Sequence, residues 1–158
     1  MNPNLALVLA FGIGVVAGLR ALTAPAAVSW AARLGWLNLA GSPLSFMGSP
    51  IAVAIFSLAA VGELVNDLLP KTPKRTAPAP LIARIVMGAL AGACLCVSGG
   101  QPLLQGAALG GIGGVFGAFA GYQARTRLVS ALKVKDAFIA VLEDLVAMGL
   151  AYFFVLAR

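Results

Sequence analysis

Residues 85–124 read IVMGALAGACLCVSGGQPLLQGAALGGIGGVFGAFAGYQA, and none of them carries a formal charge. Two apolar runs flank the short SGGQP segment at residues 98–102. A soluble core has no need of so long an uncharged run. A bilayer core demands about 18 or more apolar residues for each helix that crosses it. The stretch therefore reads as two membrane-spanning helices joined by a tight turn.

Working outward, the whole chain has the same character. Of its 158 residues, 61% are apolar and 10% are charged, against roughly 45–50% and about 25% in ordinary soluble domains. That length supplies about five spans of roughly 20 residues. The fold class expected is all-α, a polytopic transmembrane helical bundle forming a single domain over 1–158. The expected spans are 4–19, 50–69, 81–98, 103–122 and 137–156. The first of these resembles a signal peptide only in hydrophobicity, because no basic side chain precedes it and no clean cleavage site follows. It is expected to be retained.

Two connectors carry more information. PKTPKRTAPAP, residues 70–80, holds Pro70, Pro73, Pro78 and Pro80 and is expected to be a stiff, extended loop. Between the first two spans, Thr23 can cap a helix and Pro25 suits its first turn, while Ala27, Trp30, Leu34 and Leu37 recur at helical spacing. The piece at 24–37 is too short to cross a bilayer. A short interfacial or re-entrant helix is expected, with Trp30 and Trp36 at headgroup depth.

The net charge of +6 does not indicate a nucleic-acid partner, because the cations lie between apolar segments and report orientation. If five spans alternate, Lys71, Lys74, Arg75, Arg84, Arg125, Arg127, Lys133 and Lys135 share one side. Arg20, Arg33 and Arg158 share the other. The positive-inside rule then places the N-terminus in the cytoplasm and the C-terminus outside.

Catalytic chemistry is hard to build from this composition. There is no histidine, the commonest zinc ligand and general base. Cys94 and Cys96 are spaced to point to different sides of a helix, unsuited to a disulfide and too few for a metal. No nucleophile elbow is present. The expectation is no enzyme, no metal and no cofactor.

Glycines and acids are the patterned features. Gly106, Gly110 and Gly114 form one stripe, and Gly113, Gly117 and Gly121 an adjoining one. Gly88 with Gly92 and Gly14 with Gly18 add pairs in other spans. Such spacing lets backbones approach closely, within a bundle or across a homo-oligomer, which is the assembly expected, with a groove for a ligand or lipid chain as the alternative. All five acids fall in two groups, Glu63 with Asp67, and Asp136 with Glu143 and Asp144. Glu63 lies roughly 10 Å from the helix end at Pro70, at about 1.5 Å per residue. Glu143 and Asp144 are similarly deep, and a charge there costs at least a few kcal/mol unless paired, watered or protonated. Arg84 is at matching depth and is the natural counter-ion.

Two readings follow for Glu63, Asp67, Arg84, Glu143 and Asp144. They form either a binding site for a small ion or charged solute, or an ion-pair network that locks helices together. Oxygen ligands without histidine or thiolate suit H⁺, Na⁺ or Mg²⁺-like ions. Arg20 and Arg125, each just beyond an Ala-Gly step, are candidate contacts for an anion or lipid phosphate, with interface snorkelling as the alternative. The sequences FGIGVVAGLRALT and GGIGGVFGAFAGYQART echo one another around that step. In a five-span chain they run oppositely, as in an inverted repeat, although small-residue bias alone could generate the match.

GLRALTAPAAVSWAARLGWLNL, GELVNDLLPKTPKRTAPAPLIARIVMGALAGA and AVLEDLVAMG together resemble the bacterial membrane-protein family termed domain of unknown function 4126. The resemblance covers nearly the whole chain. It implies a small multi-pass protein of the bacterial cell inner membrane, without an assigned activity. By motif, Arg20, Glu63, Asp67, Pro70, Arg75, Thr76, Arg84, Glu143 and Asp144 are its characteristic positions. The leading expectation is a transporter or channel with a buried carboxylate–arginine site, having the lipid bilayer and a small ion or lipid headgroup as partners. The competing expectation is a non-transporting scaffold or lipid-binding protein whose buried charges are structural.

Overall fold

The computed structural model of the chain describes residues 2–67, 77–132 and 136–157, apart from the side chains of Asp67, Asp136 and Ala137. Readings placed on Pro70, Lys71, Pro73, Lys74, Arg75, Thr76, Lys133, Lys135 and Arg158 lie outside the described residues, as do those on the Asp67 and Asp136 side chains. Among the described residues there are six α-helices and no strand. They are α1 (Pro3–Leu19), α2 (Thr23–Arg33), α3 (Pro50–Asp67), α4 (Pro78–Ser98), α5 (Leu103–Leu132) and α6 (Asp136–Leu156), with a 3₁₀ turn at Ser45–Gly48.

Helix boundaries follow local chemistry. Asn2 caps α1 by accepting from the Asn4 amide at 3.1 Å, and Pro3 occupies the first turn, where its missing N–H costs nothing. Between α4 and α5, Gly100 adopts φ +70, a left-handed conformation that suits glycine. The Gly99 and Gln101 amides reach back to Leu95 and Cys96 carbonyls at 3.0 and 2.8 Å, closing the expected turn. By contrast, α5 runs past the expected end at residue 122. Residues 123–132 contain neither glycine nor proline, so nothing stops the helix, and Arg125 and Arg127 are helical residues rather than loop residues.

Three helices, α4, α5 and residues Phe138–Leu156 of α6, are long and apolar enough to cross a membrane. Shorter apolar helices cover Pro3–Leu19 and Pro50–Asn66. This is an all-helical chain of membrane character.

The centre of the bundle is α1, α4 and α5, brought together along glycine. Gly88 of α4 and Gly14 of α1 both lie against Gly110 of α5, while Gly92 meets Gly106 and Gly18 meets Gly114 and Gly117. Where backbones touch this closely, no side chain fits between them. Around this centre, Leu9, Ile13, Val16, Val28, Met47, Leu95, Ala151 and Val155 form the buried apolar core.

The contacts also give the helix directions. Gly14 meets Gly110 and Gly18 meets Gly114, so α1 and α5 run the same way. Gly88 meets Gly110 and Gly92 meets Gly106, so α4 opposes both. Asp144 lies at Arg20 and Phe154 at Gly12, so α6 also opposes α1. Trp30 bonds Ser57 at 3.0 Å, and the Leu22 amide bonds Glu63 at 2.8 Å, so α3 opposes α2.

Five alternating spans would have set α1 and α5 in opposite directions, and they are parallel. The inverted relation expected for their echoing sequences is therefore absent between these two helices. The cause is the segment after α1. At 11 residues, α2 covers only about 16 Å at 1.5 Å per residue. The non-helical residues beyond it continue the return, and the Asn38 amide bonds the Ser98 hydroxyl at 3.1 Å, at the end of α4 that faces the start of α1. This short element adds a traverse of the bundle and shifts the parity of every later helix. It is also a packed element rather than a surface one, since Ala24, Pro25, Val28, Ser29 and Ala31 are buried.

A candidate functional site at the turn between the first two helices

The α1–α2 junction is a tight turn near one end of the bundle, between helices that run in opposite directions. Helix α1 ends at Leu19, Arg20 is extended (φ −140, ψ 108), and α2 begins at Thr23. Such a turn leaves orphan carbonyls on one side and orphan amides on the other. Both sets are met by charged side chains from other helices. Arg84 of α4 donates from Nε to the Gly18 carbonyl at 3.0 Å. Glu63 of α3 accepts from the Ala21 and Leu22 amides, both at 2.8 Å, one on each carboxylate oxygen. Glu63 thereby places negative charge at the positive end of the α2 dipole.

Glu63 and Arg84 also approach one another, with Oε1 and Nη2 3.9 Å apart. Arg84 additionally donates to its own helix at the Pro80 carbonyl, 3.1 Å away. The counter-ion expected from depth alone is therefore the one found, and the pair shares the α1–α2 turn between its members.

Arg20 is placed differently from its sequence reading. It is fully buried and forms an ion pair with Asp144 of α6. The candidate interfacial anion contact is thus an interior residue. The reason is the turn itself, because the extended Arg20 sends its side chain into the bundle. Arg125 of α5 pairs with Glu143 at 3.8 Å. Neighbouring acids on α6 consequently reach two different helices.

Glu63, Arg84, Arg20, Asp144, Arg125 and Glu143 thus form three arginine–carboxylate pairs near the end of the bundle where α1 stops and α4 begins. The layer links α1, α3, α4, α5 and α6. Its formal charges cancel, which answers the desolvation problem that a single buried charge would pose. Among the described residues, no cluster of three or more acids, cysteines or histidines could hold a metal ion.

The remaining candidates belong to packing. Gly106, Gly110 and Gly114 face α4, and Gly113 and Gly117 face α1; Gly121 is buried. Cys94 and Cys96 are free and buried. A groove of about 380 Å³ opens at the opposite end of α2, lined by Ala32, Gly35, Leu37, Asn38, Ser45 and Gly48 among others. None of the six paired charges lines it. Sequence reasoning missed the turn as a site, although Arg20, a charged residue at the close of an apolar run, was its signal.

A family model described as a domain of unknown function, DUF4126, matches residues 7–157. The chain belongs to this family. No curated protein and no solved structure matches it.

Proposed function

We propose that this DUF4126 protein is a small inner-membrane transporter or channel for a small ion or charged solute, working as a homo-oligomer. Its working centre is the α1–α2 turn with Glu63, Arg84, Glu143 and Asp144. One observation carries the reading: a tight turn between the antiparallel helices α1 and α2, whose carbonyl and amide ends face ionisable side chains from other helices. Backbone groups left without intrahelical partners at helix ends are ready partners for ions and charged groups. Charge at such depth marks function more often than architecture.

Orientation follows from the helix directions. Arg20, Arg84, Arg125 and Arg127 lie toward the end at which α1 finishes, and Arg33 lies at the far end of α2. The sequence connectors that follow α3 and α5 carry five further cations. Under the positive-inside rule that end is cytoplasmic. The N-terminus is then outside, opposite to the orientation expected from five alternating spans, and the end of α6 is outside too.

The complete pairing of the layer supports a second reading, in which the charges only fasten helices. Purified protein in liposomes separates the two. Flux of H⁺, Na⁺, K⁺ and Cl⁻ is measured with ion-selective dyes for wild type, Glu63→Gln and Asp144→Asn, alongside thermal unfolding in detergent. A transport centre gives measurable flux that Glu63→Gln removes while the protein stays folded. No flux of any of these ions, with unfolding of the variants, leaves the fastening role.

A further inference from the structure

The groove at the far end of α2 holds a chemistry that the charged layer does not use. Gly48 lies against Ala32 and sets the 3₁₀ turn beside the end of α2, where the loop between them shapes the groove. Asn38 is fixed through both backbone and side chain. Its amide donates to the Ser98 hydroxyl, and its side-chain carbonyl accepts from the Ala40 amide at 3.1 Å. The carboxamide N–H₂ is left as a donor at the groove, and the hydroxyl of exposed Ser45 is a second. Arg33 stands between the lining residues Ala32 and Gly35 and is exposed. The five acidic residues of the chain belong to the latter part of α3 and the first half of α6, toward the opposite end of the bundle. Trp30, Arg33 and Leu34 share one face at the end of α2, and Trp30, Leu34 and Phe46 are about half exposed. A cation set among tryptophan and leucine is the composition of a membrane–water interface.

We propose that this groove binds the headgroup of an anionic phospholipid of the phosphatidylglycerol type. Arg33 supplies the forked N–H donors that match a phosphate. Asn38 and Ser45 supply donors to the phosphate or to the hydroxyl oxygens of the headgroup. Exposed Trp30, Leu34 and Phe46 flank these residues and take the glycerol backbone and first methylenes of the lipid. A headgroup that bears an amine fits less well. Its ammonium needs an anionic or carbonyl acceptor, and the acidic residues all belong to the other end of the bundle. The site is independent of the transport reading, because none of its residues belongs to the paired layer.

Tryptophan quenching by brominated lipids tests it, because both tryptophans of the chain report on this end. Trp30 shares the face of Arg33, and Trp36 lies between the lining residues Gly35 and Leu37. The full chain is reconstituted in phosphatidylcholine vesicles that contain a small fraction of brominated phosphatidylglycerol, phosphatidylserine or phosphatidylcholine. Phosphatidylserine carries the same net charge as phosphatidylglycerol and adds an amine. Brominated phosphatidylglycerol should reach half-quenching at about fivefold lower mole fraction than brominated phosphatidylcholine, the factor that one arginine contributes near an anionic lipid. It should also act at a lower fraction than phosphatidylserine. Arg33→Gln should bring the three lipids level, and Ser45→Ala should narrow the gap between the two anionic ones; both positions are exposed, so the fold is kept. Equal quenching by phosphatidylglycerol and phosphatidylserine overturns the site, because charge attraction alone then accounts for the lipid. A preference for phosphatidylglycerol that survives Arg33→Gln also overturns it. Loss of the preference when millimolar glycerol phosphate is added to the buffer gives the groove to a soluble phosphate ester and overturns the lipid assignment.

Discussion

Glu143 and Asp144 are adjacent in sequence but face different partners, and their variants should separate accordingly. Asp144 meets an Arg20 that is fully buried. Removing one partner of a buried pair leaves the other charge uncompensated, at a cost of about 3–5 kcal/mol. Asp144→Asn should therefore lower the thermal midpoint in detergent sharply. The double variant Arg20→Met/Asp144→Leu should recover much of the loss, because an apolar pair of similar volume is often neutral or better. Glu143→Gln should cost less, because the Arg125 left behind keeps 17% of its side chain exposed whereas Arg20 keeps none. If Asp144→Asn and Glu143→Gln melt alike, the distinction between them is wrong. At this scale the sequence was partly legible. Glu63 and Arg84 could be matched by counting turns from the prolines, because both sit on unbroken helices whose depth is fixed by rise per residue. Arg20 could not be assigned in that way. Its direction depends on a backbone turn, and no local spacing distinguishes an arginine that snorkels outward from one that turns in.

Helix packing was the more legible level, since four-residue glycine steps let apolar helices approach backbone to backbone. The two glycine stripes of α5 meet two different helices, and this makes a sharp internal comparison available. A methyl group at Gly110 would fall 2.8 Å from the Gly88 carbonyl carbon, a backbone atom that cannot swing aside. One residue along, a methyl at Gly111 would sit 3.6 Å from the Ile85 side chain, in ordinary contact. Gly110→Ala should therefore destabilise the protein by about 1–3 kcal/mol or more, the usual cost of overpacking, and Gly111→Ala should be near neutral or slightly stabilising. Thermal unfolding of the two purified variants checks this, and equal midpoints would contradict the contact pattern. The element that sequence could not resolve was α2. Its 11 residues fall short of a span by length, and the non-helical residues that complete its return carry no periodic signal. Such backbone is tolerated at depth only when protein covers it or it lines a water-filled cavity. That cover comes from tertiary packing and cannot be read locally.

For the whole molecule, that one short element decides whether the two chain ends share a side. Counting apolar runs gives five crossings and puts the chain ends on opposite sides. The contacts give six alternating elements, with Asn38 returned to Ser98 and Tyr152 brought to Trp36, ring centroids 6.3 Å apart. Asn2, Ala40 and Ala157 should consequently lie on one side of the membrane, and Thr126 on the other. Single cysteines at these four positions, in a Cys94→Ala/Cys96→Ala background, can be probed in intact cells with a membrane-impermeant maleimide. Labelling of positions 2, 40 and 157 from outside, with position 126 reached only after lysis, is the expected pattern. Positions 2 and 157 labelling from opposite sides would restore the five-span topology. Labelling of 126 alone from outside would keep the six-element topology and reverse its orientation. The cations then become the deciding variable. Replacing Arg125 and Arg127 with glutamine should weaken the orientation bias without disturbing the order of the four positions, because the rule acts on charge next to the spans, whereas parity is set by how α2 folds back.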